Sequence, residues 1–225
     1  MRMVKQTTDL EEELASSLTA ALRSHQRVIW LVPGGSNIPI SIAAMQRIDN
    51  SLSKKLVIMQ TDERYVPLDS PDCNWRQLQE GGFDTKQATT YPILVDTASR
   101  DEVAARYSEI VRREFAAADY IFGQFGIGAD GHIAGIKPES PASASDTLVV
   151  GYRAEDFERV TLTFPALHQL SEAMTFAYGE EKRPVLEKLA NDSIPLEQFP
   201  AGIVQTILTS TIYNDCITSE KGLTI

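Results

Sequence analysis

The sequence predicts an α/β fold, and three observations support this prediction. Short apolar and β-branched runs recur along the 225-residue chain, amphipathic helical patterns separate them, and glycine-rich or charged loops follow several of the runs. Right-handed crossovers between such strands give a mostly parallel, Rossmann-like sheet with helices on both faces. No linker, repeat or low-complexity segment divides residues 1–225, so a single domain is expected.

Each element follows from local spacing. Residues 10–23 place leucines on one helical face, with Thr8 or Asp9 as the expected N-terminal cap. The other predicted helices are 38–48, 98–117 and 180–190. The predicted strands are 27–32, 55–60, 119–125, 159–164 and 173–178, with 209–216 as an edge strand and 81–90 and 138–147 as surface loops.

Composition excludes some classes of partner. The chain has 31 acidic and 21 basic side chains, a net charge of −10, and 43% hydrophobic residues. An acidic protein is poorly suited to nucleic acid or to an anionic membrane, so neither is an expected partner. An anionic small molecule would need a local cationic pocket that works against the global charge.

Cysteine and histidine usage points to a reduced, metal-free protein. Cys73 and Cys216 are the only two cysteines, they lie far apart, and no metal-ligand spacing surrounds them. No apolar signal core or membrane-length apolar run occurs. We therefore expect a cytoplasmic location, no metal and no cofactor.

The segment 125–134 carries the strongest functional signal. It follows a predicted strand and combines three glycines with Asp130 and His132, which is the only one of the chain's three histidines in a glycine loop. The glycine spacing also matches a dinucleotide fingerprint, but Pro138 and Pro141 shorten the segment that would have to be its helix. The other alternative is a plain glycine turn with a histidine facing solvent.

Another glycine-rich loop follows a predicted strand. It contains Gly34, Gly35 and Ser36 and leads into a helix, where free backbone N–H groups and the helix dipole favour an anion. Alternatively, Ser36 or Asn37 only caps that helix. A Walker A pattern is absent from the sequence, which disfavours a nucleotide triphosphatase.

The loop 61–67 brings charged groups to the end of a third strand. Arg64 is suited to gripping a phosphate or carboxylate, and Asp62 to orienting a ligand hydroxyl or acting as a base. Glu63 is expected to do no more than pair with Arg64. Because the carboxyl ends of parallel strands meet at one edge, these loops are expected to share one site.

Taken in order, these motifs resemble the 6-phosphogluconolactonase family, which is related to the glucosamine-6-phosphate deaminases. The resemblance spans roughly residues 28–215 and rests on segments 34–36, 62–67 with Asn74, 126–132, 158–167 and 178–182. It implies one domain of this family over 1–225 that acts on a sugar phosphate lactone. A monomer or small homo-oligomer is expected.

The chain also departs from the lactonase pattern. Cys73 replaces the usual serine before Asn74, and 133–138 replaces the usual Thr-Ala-Ser-Leu-Phe-Pro. Gly-His-Ile-Ala is the deaminase form, but that branch continues with a glutamate that supports its histidine, where this chain has Lys137. The deaminases also usually carry tyrosine in place of Arg64. The resemblance therefore favours the lactonase, with the deaminase and a non-catalytic sugar-phosphate binder as alternatives.

The resemblance implies a role for each candidate residue. His132 is expected to activate water for lactone hydrolysis, since a base with a pKa near 7 helps most at neutral pH. Asp130 is expected to hold the loop or the imidazole, and backbone N–H groups of the glycine loops to receive the oxyanion. The catalytic candidates are His132, Asp130 and Asp62, and the substrate or phosphate ligands are Gly34, Gly35, Ser36, Arg64, Gly128, Arg159 and Lys182.

Two of these cations have ordinary alternatives. Lys182 lies in the charged run 180–183, which would normally be a solvated surface. Arg159 stands at the start of a strand, where it could pair only with Glu158.

Overall fold

A computed structural model describes residues 1–220. Its strands are β1 (Arg2–Lys5), β2 (Val28–Val32), β3 (Leu56–Gln60), β4 (Asp62–Arg64), β5 (Thr89–Tyr91), β6 (Tyr120–Phe125), β7 (Val149–Arg153), β8 (Glu158–Leu162), β9 (Glu172–Ala177), β10 (Thr209–Asn214) and β11 (Ser219–Glu220). Its α-helices are α1 (Leu10–Ser24), α2 (Ile38–Arg47), α3 (Asn74–Glu80), α4 (Arg100–Ala117), α5 (Phe164–Leu167) and α6 (Arg183–Asn191).

The predicted α/β architecture is confirmed. The main sheet has eight strands in the order β11-β1-β10-β9-β6-β2-β3-β5. Every neighbouring pair is parallel except β1 with β11. The prediction of an edge strand at 209–216 is wrong, because β10 lies between β1 and β9. The short β1, which the sequence pattern did not reveal, covers that edge.

Both faces of the sheet are packed against helices. In the fully buried β2, Val28, Trp30 and Val32 pack with α1, α2 and α3 on one face. Ile29 and Leu31 point to the opposite face and pack with α4, α5 and α6. Side chains alternate along a strand, so a central strand with both faces covered is apolar throughout.

A second, three-stranded antiparallel sheet was not predicted. It has the order β4-β8-β7, so the predicted strand 159–164 does not join the main sheet. The chain enters it directly from β3 through Thr61, whose N–H donates to the Val32 carbonyl at 3.0 Å. This arrangement places β4 and β8 above the carboxyl ends of the main strands.

Several smaller differences concern loops and caps. Strand β5 occupies the end of the predicted loop 81–90, and α3 was not predicted. The predicted helix 180–190 begins as a 3₁₀ turn, Glu180–Lys182. Asp9 takes the N-cap position of α1 but makes no side-chain cap hydrogen bond. Within residues 1–220, no helix is long and apolar enough to span a membrane, and Cys73 and Cys216 are buried free thiols.

Candidate active site

Four adjacent parallel strands end in one pocket. The loops that follow β9, β6, β2 and β3 surround a cavity of about 430 Å³. The chain leaves β2 toward β3 and β6 toward β9, in opposite directions along the sheet, so the pocket lies at a topological switch point. Open α/β sheets bind ligands at such points.

The predicted site residues converge here. All but one line the pocket, and the exception, Asp130, contacts the lining residue His132. The lining residues from the prediction are Gly34, Gly35, Ser36, Asp62, Arg64, Gly128, His132, Arg159 and Lys182.

His132 and Asp130 form a hydrogen-bonded pair. Nδ1 of the imidazole lies 2.6 Å from Oδ1 of the carboxylate, and the same oxygen accepts the backbone N–H of His132 at 3.1 Å. The bond to the His132 side chain holds the pKa of Asp130 well below its usual range, so the carboxylate stays ionised and acts as acceptor. The proton of a neutral imidazole then sits on Nδ1, which leaves the Nε2 lone pair for a substrate or water.

Gly128 is required by the packing of this pair. A Cβ there would overlap with Nδ1 and Cε1 of His132 and with Oδ1 of Asp130. The loop also uses its own N–H groups, because Gly128 donates to the His132 carbonyl at 2.9 Å and Gly131 donates to the Gly128 carbonyl at 3.0 Å. Neither N–H is therefore free to bind an oxyanion.

The loop after β2 forms an adjacent wall. Gly35–Asn37 is a 3₁₀ turn that leads into α2, and neither Ser36 nor Asn37 makes a side-chain cap hydrogen bond there. Asn37 instead donates to the Phe176 carbonyl at 3.4 Å. Ser36 is exposed at the pocket, beside the helix N-terminus. The capping alternative is therefore wrong, and an anion site remains compatible with the loop.

Two arginines meet above the pocket. Arg64 and Arg159 are direct partners on β4 and β8, an arrangement in which like charges repel. Both guanidinium groups lie over the ring of Phe157, at 4.9 and 6.0 Å from its centroid. Arg64 also contacts the carboxylate of Asp72 at 3.7 Å, and Arg159 donates to Asp156 at 2.7 Å. These contacts hold two cations together at one end of the pocket.

Arg159 does not pair with Glu158. The Glu158 carboxylate lies 3.4 Å from Arg153 and 3.7 Å from Arg100 instead. Arg159 is 8% exposed, and its Nε is buried without a hydrogen-bond partner in the described chain. The alternative of a simple surface ion pair is therefore wrong.

Glu63 does not pair with the Arg64 guanidinium either. Its buried carboxylate accepts the backbone N–H groups of Arg64, Asn74 and Trp75 at 2.8, 2.8 and 2.9 Å, and the Gln60 amide at 2.8 Å. Burial raises the pKa of Glu63 despite these bonds. The carboxylate thus ties β4, the strand that carries Arg64, to the first turn of α3.

Two carboxylates accompany the cations. Asp62 is 7% exposed, accepts the Thr61 hydroxyl at 2.9 Å and lies 3.7 Å from Arg159. Asp156, which the sequence pattern did not reveal, also lines the pocket. Partial burial opposes its ionisation, but hydrogen bonds from Arg159 and the Phe157 N–H lower its pKa to about 2. Its sequence signal is weak, a lone carboxylate in the turn before Arg159.

Lys182 brings a third cation. It ends the 3₁₀ turn before α6 and lines the pocket, while the neighbouring Arg183 pairs with Glu180 at 2.9 Å. Across residues 1–220, the Lys182 ammonium group has no ion pair or hydrogen bond with another side chain. Lys182 is therefore not an ordinary solvent-exposed lysine of the charged segment 180–183. It is a half-buried cation available to a ligand.

No grouping of three or more His, Cys, Asp or Glu side chains suited to a metal occurs in the described part of the chain. The expectation that the protein uses no metal or cofactor stays a prediction.

The chain is similar in sequence to two curated proteins of the same name. The 6-phosphogluconolactonase of Synechocystis sp. is 26% identical over 163 residues, covering 68% of this chain and 67% of that protein. The 6-phosphogluconolactonase of Helicobacter pylori is 26% identical over 218 residues, covering 91% of each.

Solved structures share the fold. The crystal structure of 6-phosphogluconolactonase from Thermotoga maritima has a TM-score of 0.78 at 23% identity, covering 94% of this chain and 97% of its own. A monomeric glucosamine-6-phosphate deaminase reaches 0.73 at 15% identity, covering 95% and 97%. At such identities the likeness establishes the fold alone, and the fold does not separate the two activities.

The family model described as glucosamine-6-phosphate isomerases/6-phosphogluconolactonase matches residues 4–213. The match covers both glycine loops, the two arginines and Lys182. This chain belongs to that family.

Proposed function

We propose that the protein is a 6-phosphogluconolactonase, which hydrolyses 6-phosphoglucono-δ-lactone to 6-phosphogluconate in the oxidative pentose phosphate pathway. The observation that carries the proposal is the combination, in one pocket, of a carboxylate-held histidine with a cluster of cations. The curated relatives that bear this name support it.

The cations suit the substrate's phosphate. Arg64, Arg159 and Lys182 line the same pocket as Gly35 and Ser36. In a protein of net charge −10, this local positive cluster is what allows an anionic substrate to bind. We therefore place the negatively charged phosphate beside these three cations, with the lactone ring toward His132.

His132 supplies the base. Its Nε2 takes a proton from water as the water oxygen bonds to C1 of the lactone, and Asp130 stabilises the imidazolium that forms. The tetrahedral intermediate then collapses, the bond between C1 and the ring oxygen breaks, and the imidazolium returns its proton to that oxygen. The products are a carboxylic acid and a free hydroxyl, so atoms and charge balance. The acid ionises in water.

Asp62 lines the pocket beside Arg159. Its carboxylate is engaged by Thr61 and Arg159, so we assign it to holding Arg159 and a substrate hydroxyl rather than to proton transfer. A deaminase would need a free base at this position to abstract a carbon-bound proton. The ion pair with Arg159 thus favours the lactonase over the deaminase.

The test is a substrate panel on the purified protein. Without added metal or nucleotide, 6-phosphogluconolactone is expected to be consumed well above its spontaneous opening. Glucosamine 6-phosphate is expected to release no ammonia above a blank. Ammonia release at a rate rivalling lactone hydrolysis would assign the deaminase activity, and inactivity on both substrates would favour a sugar-phosphate binder.

Quaternary structure and location stay predictions. A monomer or small homo-oligomer in the cytoplasm is expected, with no nucleic-acid or membrane partner. Gel filtration of the purified protein would test the first of these.

A further inference from the structure

Lys137 connects two walls of the site. Its ammonium group lies 3.8 Å from Oδ2 of Asp130 and 3.4 Å from Oδ2 of Asp156, and the side chain is only 24% exposed. Asp130 holds His132, and Asp156 holds Arg159. One lysine thus faces both the histidine's carboxylate partner and the carboxylate beside the cation cluster.

We propose that Lys137 is a positioning residue that fixes the Asp130 carboxylate, and through it the His132 ring, relative to the Asp156 wall. The proposal rests on the proposed lactone hydrolysis for its kinetic consequence. The positioning itself is a property of the free protein.

The backbone that carries Lys137 is firmly placed. Ile133 and Ile136 exchange backbone hydrogen bonds of 3.3 and 2.9 Å, and both side chains are fully buried. Tyr152 donates its hydroxyl to the Gly135 carbonyl at 2.6 Å, which anchors the turn to β7. The Lys137 side chain therefore projects from a fixed point rather than from a mobile loop.

Asp130, in contrast, is not fixed by burial. Its side chain is 44% exposed and belongs to the glycine-rich loop, so burial does little to fix it. Oδ1 makes both contacts to His132, and Oδ2 is the oxygen that faces Lys137. Without the ammonium group, only the two bonds from His132 to Oδ1 hold the carboxylate, so the acceptor that sets the tautomer of the ring is less firmly placed.

Asp156 gives Lys137 a second anchor. The Asp156 carboxylate is already bound by Arg159 at 2.7 Å and by the Phe157 N–H at 2.8 Å from Oδ1. The charges alternate in sign from Asp130 through Lys137 and Asp156 to Arg159. Such a network resists displacement of any one member more strongly than an isolated surface pair does.

The first experiment is kinetic. Lys137→Met keeps the apolar stem and removes the charge, and it is expected to lower kcat for 6-phosphogluconolactone about 10-fold with a smaller change in KM. Lys137→Arg is expected to retain activity within about threefold, because it restores the cation. Lys188→Met, an exposed lysine on α6, is the matched control and is expected to leave kcat unchanged.

A double-mutant cycle with Asp130→Asn separates positioning from a general structural effect. If Lys137 acts through Asp130, adding Lys137→Met to Asp130→Asn changes kcat less than about twofold. Equal losses in the two backgrounds, or an unchanged kcat in the single variant, would overturn the proposal. Thermal unfolding of each variant identifies a loss of fold, and Lys137→Gln then replaces Lys137→Met in the cycle.

The second experiment does not depend on activity. The ring nitrogens of His132 in ¹⁵N-labelled free protein are expected to report one neutral tautomer, protonated on Nδ1, in the wild type and a mixture in Lys137→Met. The same single tautomer in both would overturn the proposal even if lactone hydrolysis is confirmed. A wild type inactive on the lactone but with this tautomer difference would contradict the proposed function alone.

Discussion

Replacing Lys182 by methionine is expected to weaken recognition of the phosphate selectively. Within residues 1–220 the Lys182 ammonium group has no side-chain partner, whereas Arg64 and Arg159 contact Asp72 and Asp156. The substitution therefore removes a ligand contact without leaving a protein carboxylate unpaired. A charge-assisted hydrogen bond contributes about 1.5–3 kcal/mol, which corresponds to a loss of about 10- to 150-fold in kcat/KM.

The assay compares two substrates that differ only in the phosphate. For 6-phosphogluconolactone the loss should appear mainly in KM, while gluconolactone turnover by Lys182→Met should match the wild type within about twofold. Lys188→Met provides the control for loss of one positive charge from the same region. Equal losses on both substrates would refute the assignment, because they would place Lys182 at the ring or in the structural framework.

The remaining predictions concern the loops that hold the site. Gly128→Ala is expected to lower kcat about 100-fold in a folded protein, because its Cβ must displace the His132 ring; unchanged turnover would mean that the ring is not held there during catalysis. Phe157→Leu is expected to raise KM for the phosphorylated lactone about 2- to 10-fold, since the ring supports Arg64, and steady-state kinetics checks this. Glu63→Gln is expected to reduce the free energy of unfolding by about 1–3 kcal/mol, measured by urea denaturation, since a buried backbone N–H loses its acceptor. An unchanged urea midpoint would contradict this last expectation.

Local patterns predicted most of the main sheet but not its edges. The strands β2, β3, β6 and β9 are apolar because helices cover both faces, and that signal is readable in a sequence. Strand β1 has four residues and β5 has three, too few for a periodic pattern. Strand β8 was identified but assigned to the wrong sheet. Strand pairing depends on long-range contacts that local sequence does not encode.

The candidate site was predictable to the extent that it follows strand ends. His132 and Arg64 belong to recognisable loops after β6 and β3, and parallel strands bring those loops together. Asp156 could not be identified because it lies in the turn between β7 and β8, and the position of that turn over the pocket is a tertiary feature. The contacts of Lys137 with Asp130 and Asp156 could not be predicted either. The sequence shows only that Lys137 departs from the family pattern, not that two carboxylates lie beside it.

Hydrolysis of 6-phosphogluconolactone by His132→Asn is the most direct test of the proposed mechanism. After subtraction of spontaneous ring opening, kcat is expected to fall at least about 100-fold, the scale of a lost acid–base group. Binding of 6-phosphogluconate, measured by calorimetry, is expected to persist because the three cations remain. Turnover close to that of the wild type in this folded, ligand-binding variant would contradict the assignment of His132 as the base.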